Sequence, residues 1–341
     1  MGHILLLIFI PQLLLAAKTE AYKQQTDVPY FSGDVLEVKG FHGNITFKKS
    51  SVSKVRVVAT YDQNFADDEE YMQDWLLKTS REHENKVGKI LVKIKGPQSR
   101  ETWAKSLRGK KIPKINLVIF APEMNIEVFW RHGDLYINDW SAQLRINLQQ
   151  GKLSVIGGQG SLHVEQQKGI ANIVKRKGKL DFNGYNTKLS LQSIEGPQKI
   201  SNFDGKTILN GSIGHITLQQ NRGKVEIVKG EGELNFKSKS ANIKILNYLG
   251  SVHGRSESGP IFADLSGELK FNVKTLEGAV KLKLKNSGAN MNLGTVEGNF
   301  YTPRYLRVTR YPYIKVIKGR LRGSENGRAY IRTKSGNIQI L

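Results

Sequence analysis

From Gly133 to Gly259 one position in nine is almost always glycine: Gly133, Gly151, Gly160, Gly169, Gly178, Gly196, Gly205, Gly214, Gly223, Gly232, Gly250 and Gly259 fill 12 of 15 slots. Glycine supplies only 34 of 341 residues, so composition cannot generate this phase-locked spacing. A fixed short period is the mark of a solenoid. Each unit reads Gly-x-apolar-x-apolar followed by four mostly polar residues, as in Gly151-Lys-Leu-Ser-Val155 and Gly223-Lys-Val-Glu-Ile227. The third position is apolar in 13 of 15 units and the fifth in 14 of 15, counting alanine. This period-two alternation is that of a strand with one face on a core and the other in water. Glycine is expected at a turn between short strands, where the absent Cβ allows positive φ.

A strand of three or four residues cannot bury its apolar face alone, so successive units must stack coil on coil. The predicted fold is all-β, a single-stranded β-solenoid (β-helix) of glycine-punctuated nonapeptide units. A weaker second period suggests the coil length. The sixth position is polar in one alternating series (Asn147, Glu165, Asn183, Ser201, Gln219, Lys237, Arg255) and often apolar in the other (Ile156, Val174, Val228, Leu246). That favours 18 residues per coil and leaves 27 open.

Three regions follow. Residues 1–21 look like a secretory signal peptide, with an apolar run from Ile4 to Leu15 and cleavage after Ala17 or Ala21. Residues 22–127 are expected to form a β-rich N-terminal cap. It carries a helical insert near 65–84, where Asp67, Asp68, Glu69, Glu70, Asp74, Glu82 and Glu84 surround a packing stripe of Tyr71, Trp75 and Leu76. Residues 128–341 are the solenoid, interrupted over 300–318 by a basic, tyrosine-rich stretch that should leave the rod as a loop or hairpin.

The opening Val35-Leu-Glu-Val-Lys-Gly-Phe-His-Gly-Asn-Ile-Thr-Phe47 and Val55-Arg-Val-Val-Ala-Thr60 resemble the start of the bacterial putative-adhesin family of β-solenoid domains of unknown function. Ile115-Asn-Leu-Val-Ile-Phe-Ala-Pro122, Ile126-Glu-Val-Phe-Trp130 and Gly133-Asp-Leu-Tyr-Ile137 are similar to that family's approach to its repeats. Ala329-Tyr-Ile-Arg-Thr-Lys-Ser-Gly-Asn-Ile-Gln-Ile340 is similar to its last coil. The resemblance spans nearly the whole mature chain and implies a fold. It brings no catalytic residues, and the acidic insert and the basic interruption depart from it.

The chain has no cysteine, which removes disulfides, thiol nucleophiles and cysteine-based zinc sites. Its net charge of +22 favours anionic partners. Basic residues concentrate over 86–114 and 300–341. The turn positions lack the aspartates of calcium-binding rolls, so no cofactor or metal is expected. A glycosidase or lyase would need converging carboxylates. The outward Asp181 and Glu226 are 45 residues apart, and on 18-residue coils they fall on opposite faces; His163 and His253 lie five coils apart. Lys281, Lys283 and Lys285 form an outer lysine row. No nucleophile elbow, P-loop or dinucleotide fingerprint is found in its required context.

The candidate site for an anion or a partner is therefore the interruption and its flank: Tyr301, Arg304, Tyr305, Arg307, Arg310, Tyr311, Lys315, Lys318, Arg320 and Arg322, with Tyr313 among them. Guanidinium groups fork onto phosphates or carboxylates, and tyrosine rings stack on sugars or bases. The same residues would also serve as a cap over coil edges. The expected function is that of an exported, non-enzymatic scaffold or binding surface of the cell envelope. It would be adhesin-like and would engage anionic envelope polymer, lipid headgroups or an envelope protein. The alternative is a carbohydrate-active enzyme on a β-solenoid.

Overall fold

The computed structural model describes residues 22–62, 75–84, 87–94, 96, 112–284, 288–321 and 327–341. The expected signal peptide, most of the acidic insert (65–74) and Arg322 lie outside the described residues. Among the described residues every element longer than one residue is a strand, and these 25 strands join one continuous sheet wound into a β-solenoid of about nine turns.

The coil is 18 residues long. Strand Leu144–Ile156 pairs in parallel with Leu162–Val174, that strand with Leu180–Gln192, and that in turn with Gln198–Asn210; Leu144 faces Leu162, Leu162 faces Leu180 and Leu180 faces Gln198. The alternative of 27 is thereby excluded. Along each strand the alternation places Leu144, Ile146, Leu148, Leu153 and Val155 fully inside, and equivalent residues of neighbouring coils extend this into one contiguous core.

Not every repeat glycine sits in a turn between short strands, as the sequence suggested. Gly151, Gly169 and Gly205 lie within continuous 13-residue strands, where the chain bends without leaving its ladder, whereas Gly160, Gly178 and Gly196 lie in the open turns. Further along the roles exchange: Gly214, Gly232 and Gly250 are in strands, and Gly223 and Gly259 are in turns. The structural repeat is the coil of two unequal halves. What the glycines share is contact between coils. At Gly205 φ is 127°, and a Cβ would stand 2.4 Å from the carbonyl oxygen of Thr187 in the preceding coil.

A second special column carried no sequence signal. Asp139, Gly157, Lys175, Ser193, Gly211, Lys229 and Asn247 recur at the coil spacing, and all have φ between 50° and 70°. Their N–H groups continue the intercoil bonding, for example Lys175 N to Gln192 O at 2.8 Å and Ser193 N to Asn210 O at 2.8 Å. Only two of the seven are glycine, so this left-handed corner is set by its neighbours and held by the ladder against its local cost.

At both ends the chain threads its outermost sequence one layer inward. Strand Val35–His42 lies between Asn125–His132 and Val87–Ile94, and Ile45–Lys49 lies between Leu135–Asn138 and Ile115–Ala121. The N-terminal region thus contributes a true coil. Likewise Gly327–Thr333 is inserted between Ile261–Thr275 and Ala289–Thr295, and Ile338–Ile340 between Val280–Leu284 and Phe300–Tyr301. Antiparallel strands close the ladder beyond these layers. Lys23–Pro29 pairs with Lys54–Tyr61 and Leu77–Glu84 with Val87–Ile94 at one end, and Ile314–Leu321 with Ala289–Thr295 at the other.

The helix expected to reach residue 84 is not formed there: Leu77–Glu84 is a strand. Leu, Lys and Glu favour helix in isolation, but cross-strand pairing with Val87–Ile94, including Glu82 opposite Lys89, overrides that propensity. Trp75 is fully buried, edge-on to Phe41, with ring centroids 5.8 Å apart.

Two tyrosines are fixed in the core in different ways. The Tyr61 hydroxyl accepts the Leu77 N–H at 2.8 Å and donates to Gln24 Oε1 at 3.0 Å, tying the first strand to the cap. Tyr248 is fully buried, and its hydroxyl has no hydrogen-bond partner. Burial pushes both phenols up to about 12. Raised folded values mean that this stability is complete below the unfolded value near pH 10, and falls by about 1.4 kcal/mol per pH unit per group as pH rises to about 12. Tyr248→Phe removes one of these contributions and no hydrogen bond. It is expected to leave neutral-pH stability unchanged or slightly higher, and to flatten the alkaline decline, as followed by urea melts at pH 7, 10 and 11.

Candidate functional site

The basic interruption is the terminal cap. Val308–Tyr311 and Ile314–Leu321 form an antiparallel hairpin, with the second strand laid on the last coil and the first outermost. Leu306, Val316, Ile317 and Leu321 are buried and anchor it. Tyr301, Arg304, Tyr305, Arg307, Arg310, Tyr311, Tyr313, Lys318 and Arg320 are exposed. Lys315 is half-buried and donates from Nζ to the carbonyl of Gly298 at 2.9 Å, clamping the hairpin to a turn of the coil beneath. In the register Arg310 stands directly opposite Lys315. Like charges directly opposite across a strand pair are destabilising, and no acidic residue occurs from 298 to 324 to offset them.

The carboxylate and histidine candidates separate as the spacing indicated. Asp181 stands in register with His163 and Lys199, and Glu226 with Ile208 and Lys244, so they belong to different columns. His163 touches acids on two neighbouring rungs, with Nε2 3.2 Å from Glu165 Oε1 and Nδ1 3.6 Å from Asp181 Oδ2. His253 is not part of that cluster. Among the described residues no group of three or more His, Cys, Asp or Glu side chains could hold a metal ion. In the lysine row, Lys283 lies 3.4 Å from Asp264 and Lys281 lies over the Phe262 ring, while Lys285 is outside the described residues.

The sequence reading missed a second site, halfway along the rod. A cleft of about 390 Å³ opens on one face between the polar column Asn147, Glu165, Asn183, Ser201 and Gln219 and the aromatic pair Tyr185 and Phe203. The two rings occupy equivalent positions on adjacent coils and stack at 5.1 Å with an interplanar angle of 8°. They are exposed to 55% and 41% respectively. Behind Phe203 the guanidinium of Arg222 lies 5.8 Å from the ring and is forked onto Asp204 at 2.6 and 3.0 Å, which holds its pKa above the ordinary arginine value. On the opposite wall Asn147 Nδ2 donates to Glu165 Oε2 at 2.9 Å.

Beneath the cleft, inward-facing amides line the interior of the coil. Gln166 Nε2 donates to Gly151 O at 2.8 Å, and Asn202 Nδ2 donates to Thr187 O at 2.9 Å. These bonds fix both amides and leave Gln166 Oε1 and Asn202 Oδ1 buried with no partner. Gly184 lies between them on the intervening coil; a Cβ there would come within 3.1 Å of Asn202 Oδ1 and 2.7 Å of the Phe182 ring. One signal could have exposed this site: Tyr185 and Phe203 are outward aromatics 18 residues apart, which become neighbours once the coil length is known.

No family model matches the chain, and no curated protein matches it. Solved structures do. The chain is similar to a putative cell adhesion protein from Clostridium sporogenes (11% identity, 94% of this chain and 99% of that chain covered, TM-score 0.23). It is also similar to putative adhesins from Parabacteroides merdae (10%, 95% and 97%, 0.33) and Bacteroides fragilis (11%, 95% and 99%, 0.24). These are the kind of protein that the sequence resembles. At such identities and TM-scores, no residue of the hairpin or the cleft is carried over from them.

Proposed function

We propose that the protein is an exported, non-enzymatic, adhesin-like scaffold that holds an anionic surface at its C-terminal cap. The observation that carries this reading is the placement of Arg310 opposite Lys315 on an exposed edge hairpin, in a stretch from 298 to 324 that holds no acidic residue. A cap that only blocked the ladder would be more stable with mixed charges, whereas a polyanion bridging these groups turns their repulsion into attraction. The exposed tyrosines beside them add rings for stacking on sugars or seating among headgroups. The leader-like residues 1–21 and the excess of positive charge support a location at the envelope, where such polyanions and anionic lipids are found. The carbohydrate-active alternative gains no support from the separated columns of Asp181 and Glu226.

The test is co-sedimentation of residues 22–341 with isolated cell envelopes over a salt titration. Binding is expected at low salt and should weaken as screening rises. The combined change Arg304→Ser, Arg307→Ser and Arg310→Ser should lower it at least about tenfold, equivalent to about 1.4 kcal/mol, with an unchanged circular dichroism spectrum. These side chains are exposed, so folding should persist. Unaltered association in the variant would reduce the hairpin to a cap.

A further inference from the structure

We propose that the cleft beside Tyr185 and Phe203 is a binding site for a neutral glycan chain. Two independent features of this site converge on that chemistry. First, two parallel rings stacked on adjacent rungs are both exposed. Aromatic rings exposed singly are ordinary, but a stacked, solvent-facing pair on the rim of a cleft is apolar surface that the C–H groups of a pyranose can cover. Second, the facing wall carries Asn147, Asn183, Ser201 and Gln219, which both donate and accept, the combination that a ring of hydroxyl groups requires.

The charge of the lining selects among glycans. It contains the carboxylate of Glu165 and no lysine or arginine, although the chain carries 52 such residues. A phosphate, sulfate or uronate would meet a negative charge and no cation in this lining, so an acidic polymer is disfavoured here. The site is thus chemically opposite to the basic cap and independent of it. Its length favours a chain over a single sugar. Rungs repeat every 4.8 Å or so along the rod, and the polar lining runs over five of them, from Asn147 to Gln219.

The experiment is isothermal titration of residues 22–341 with soluble hexasaccharides of β-linked glucose, α-linked glucose and β-linked N-acetylglucosamine, with oligogalacturonate as the acidic comparison. At least one neutral hexasaccharide is expected to bind with little salt dependence. Tyr185→Ala and Phe203→Ala remove only exposed side chains, so both variants should keep the fold. Together they should weaken binding at least about tenfold by loss of ring contact, while the triple arginine variant of the cap leaves it unchanged. Failure of all three neutral probes at millimolar concentration would overturn the proposal. So would neutral binding indifferent to Tyr185 and Phe203, or salt-sensitive binding of oligogalacturonate alone. Saturable binding of a peptide in the same cleft, with no neutral sugar competing, would also overturn it and assign the rings to protein recognition.

Discussion

A chain ending at residue 326 is expected to lose far more than its last coil. Residues 327–341 lie between two layers, so their removal strips the hydrogen-bond ladders from Ile261–Thr275 on one side and Ala289–Thr295 on the other. The deletion also takes out Ala329, Ile331, Ile338 and Ile340, all buried. At about 1.5–3 kcal/mol for each large apolar side chain, these alone are comparable to much of the stability of a typical domain. Ala289–Thr295 and Phe300–Tyr301 then lose the parallel pairings that join them to the rod, and the cap should detach with them. Hydrogen exchange should show lost protection over 289–321 and along 261–275, with coils 144–210 still protected, because a solenoid's coils depend on nearest neighbours. Ile331→Asp is the point-mutant equivalent. It places a charge at a fully buried site and is expected to cost more than about 4 kcal/mol, with the same regional pattern. Protection of 289–321 equal to that of the full chain would show that the last coil is not inserted.

The second large effect separates Gly205, in the nine-residue series, from Gly211, in the left-handed corner column. Gly205→Val puts a β-branched residue at φ 127° with its Cβ 2.4 Å from the Thr187 carbonyl oxygen, a backbone atom that cannot move without shifting the neighbouring coil. The expected loss is about 3 kcal/mol or more, from strain and intercoil clash together. Gly211 has φ 65° and meets nothing nearer than 3.7 Å, at the corner where Lys175, Ser193 and Lys229 already occupy the same conformation. Gly211→Asn should cost less than about 1 kcal/mol, since asparagine tolerates this region. Thermal or urea melts of the two variants provide the comparison, and equal losses would contradict the distinction between the two columns.

The parts of the fold that were legible in the sequence are those written in the alternation of single residues. The inward pattern around Leu153 and Val155, the two-unit coil and the departure at 300–318 all follow from which residues can face a core. Features created by stacking were not legible. The left-handed corner is held by bonds such as Lys175 N to Gln192 O, and its occupants, Asp, Gly, Lys, Ser and Asn, share no common side-chain chemistry. Leu77–Glu84 reads as helix because its partner strand is absent from any local window. Arg176 would be counted among surface charges. Instead it is buried and donates to the carbonyls of Trp140, Ala142, Gly157 and Gln159, and burial lowers its pKa. The candidate site divides in the same way. The cap was visible as a run of arginine and tyrosine, whereas the cleft is assembled from residues spread over five coils.

The inward threading of both ends separates the order of the layers from the order of the residues, and this limits how such a protein can change in length. A duplicated unit appended to either end would not meet a complete parallel coil, because antiparallel strands stand there instead. Between the ends, from Leu144 to Asn210, each coil meets its neighbours through the same parallel register. Gain or loss of one whole 18-residue turn there would keep every interface of the same kind. Span is therefore free to vary in the middle while both terminal assemblies stay fixed, so the distance between the cap and the opposite end is a quantity that selection can adjust in discrete steps.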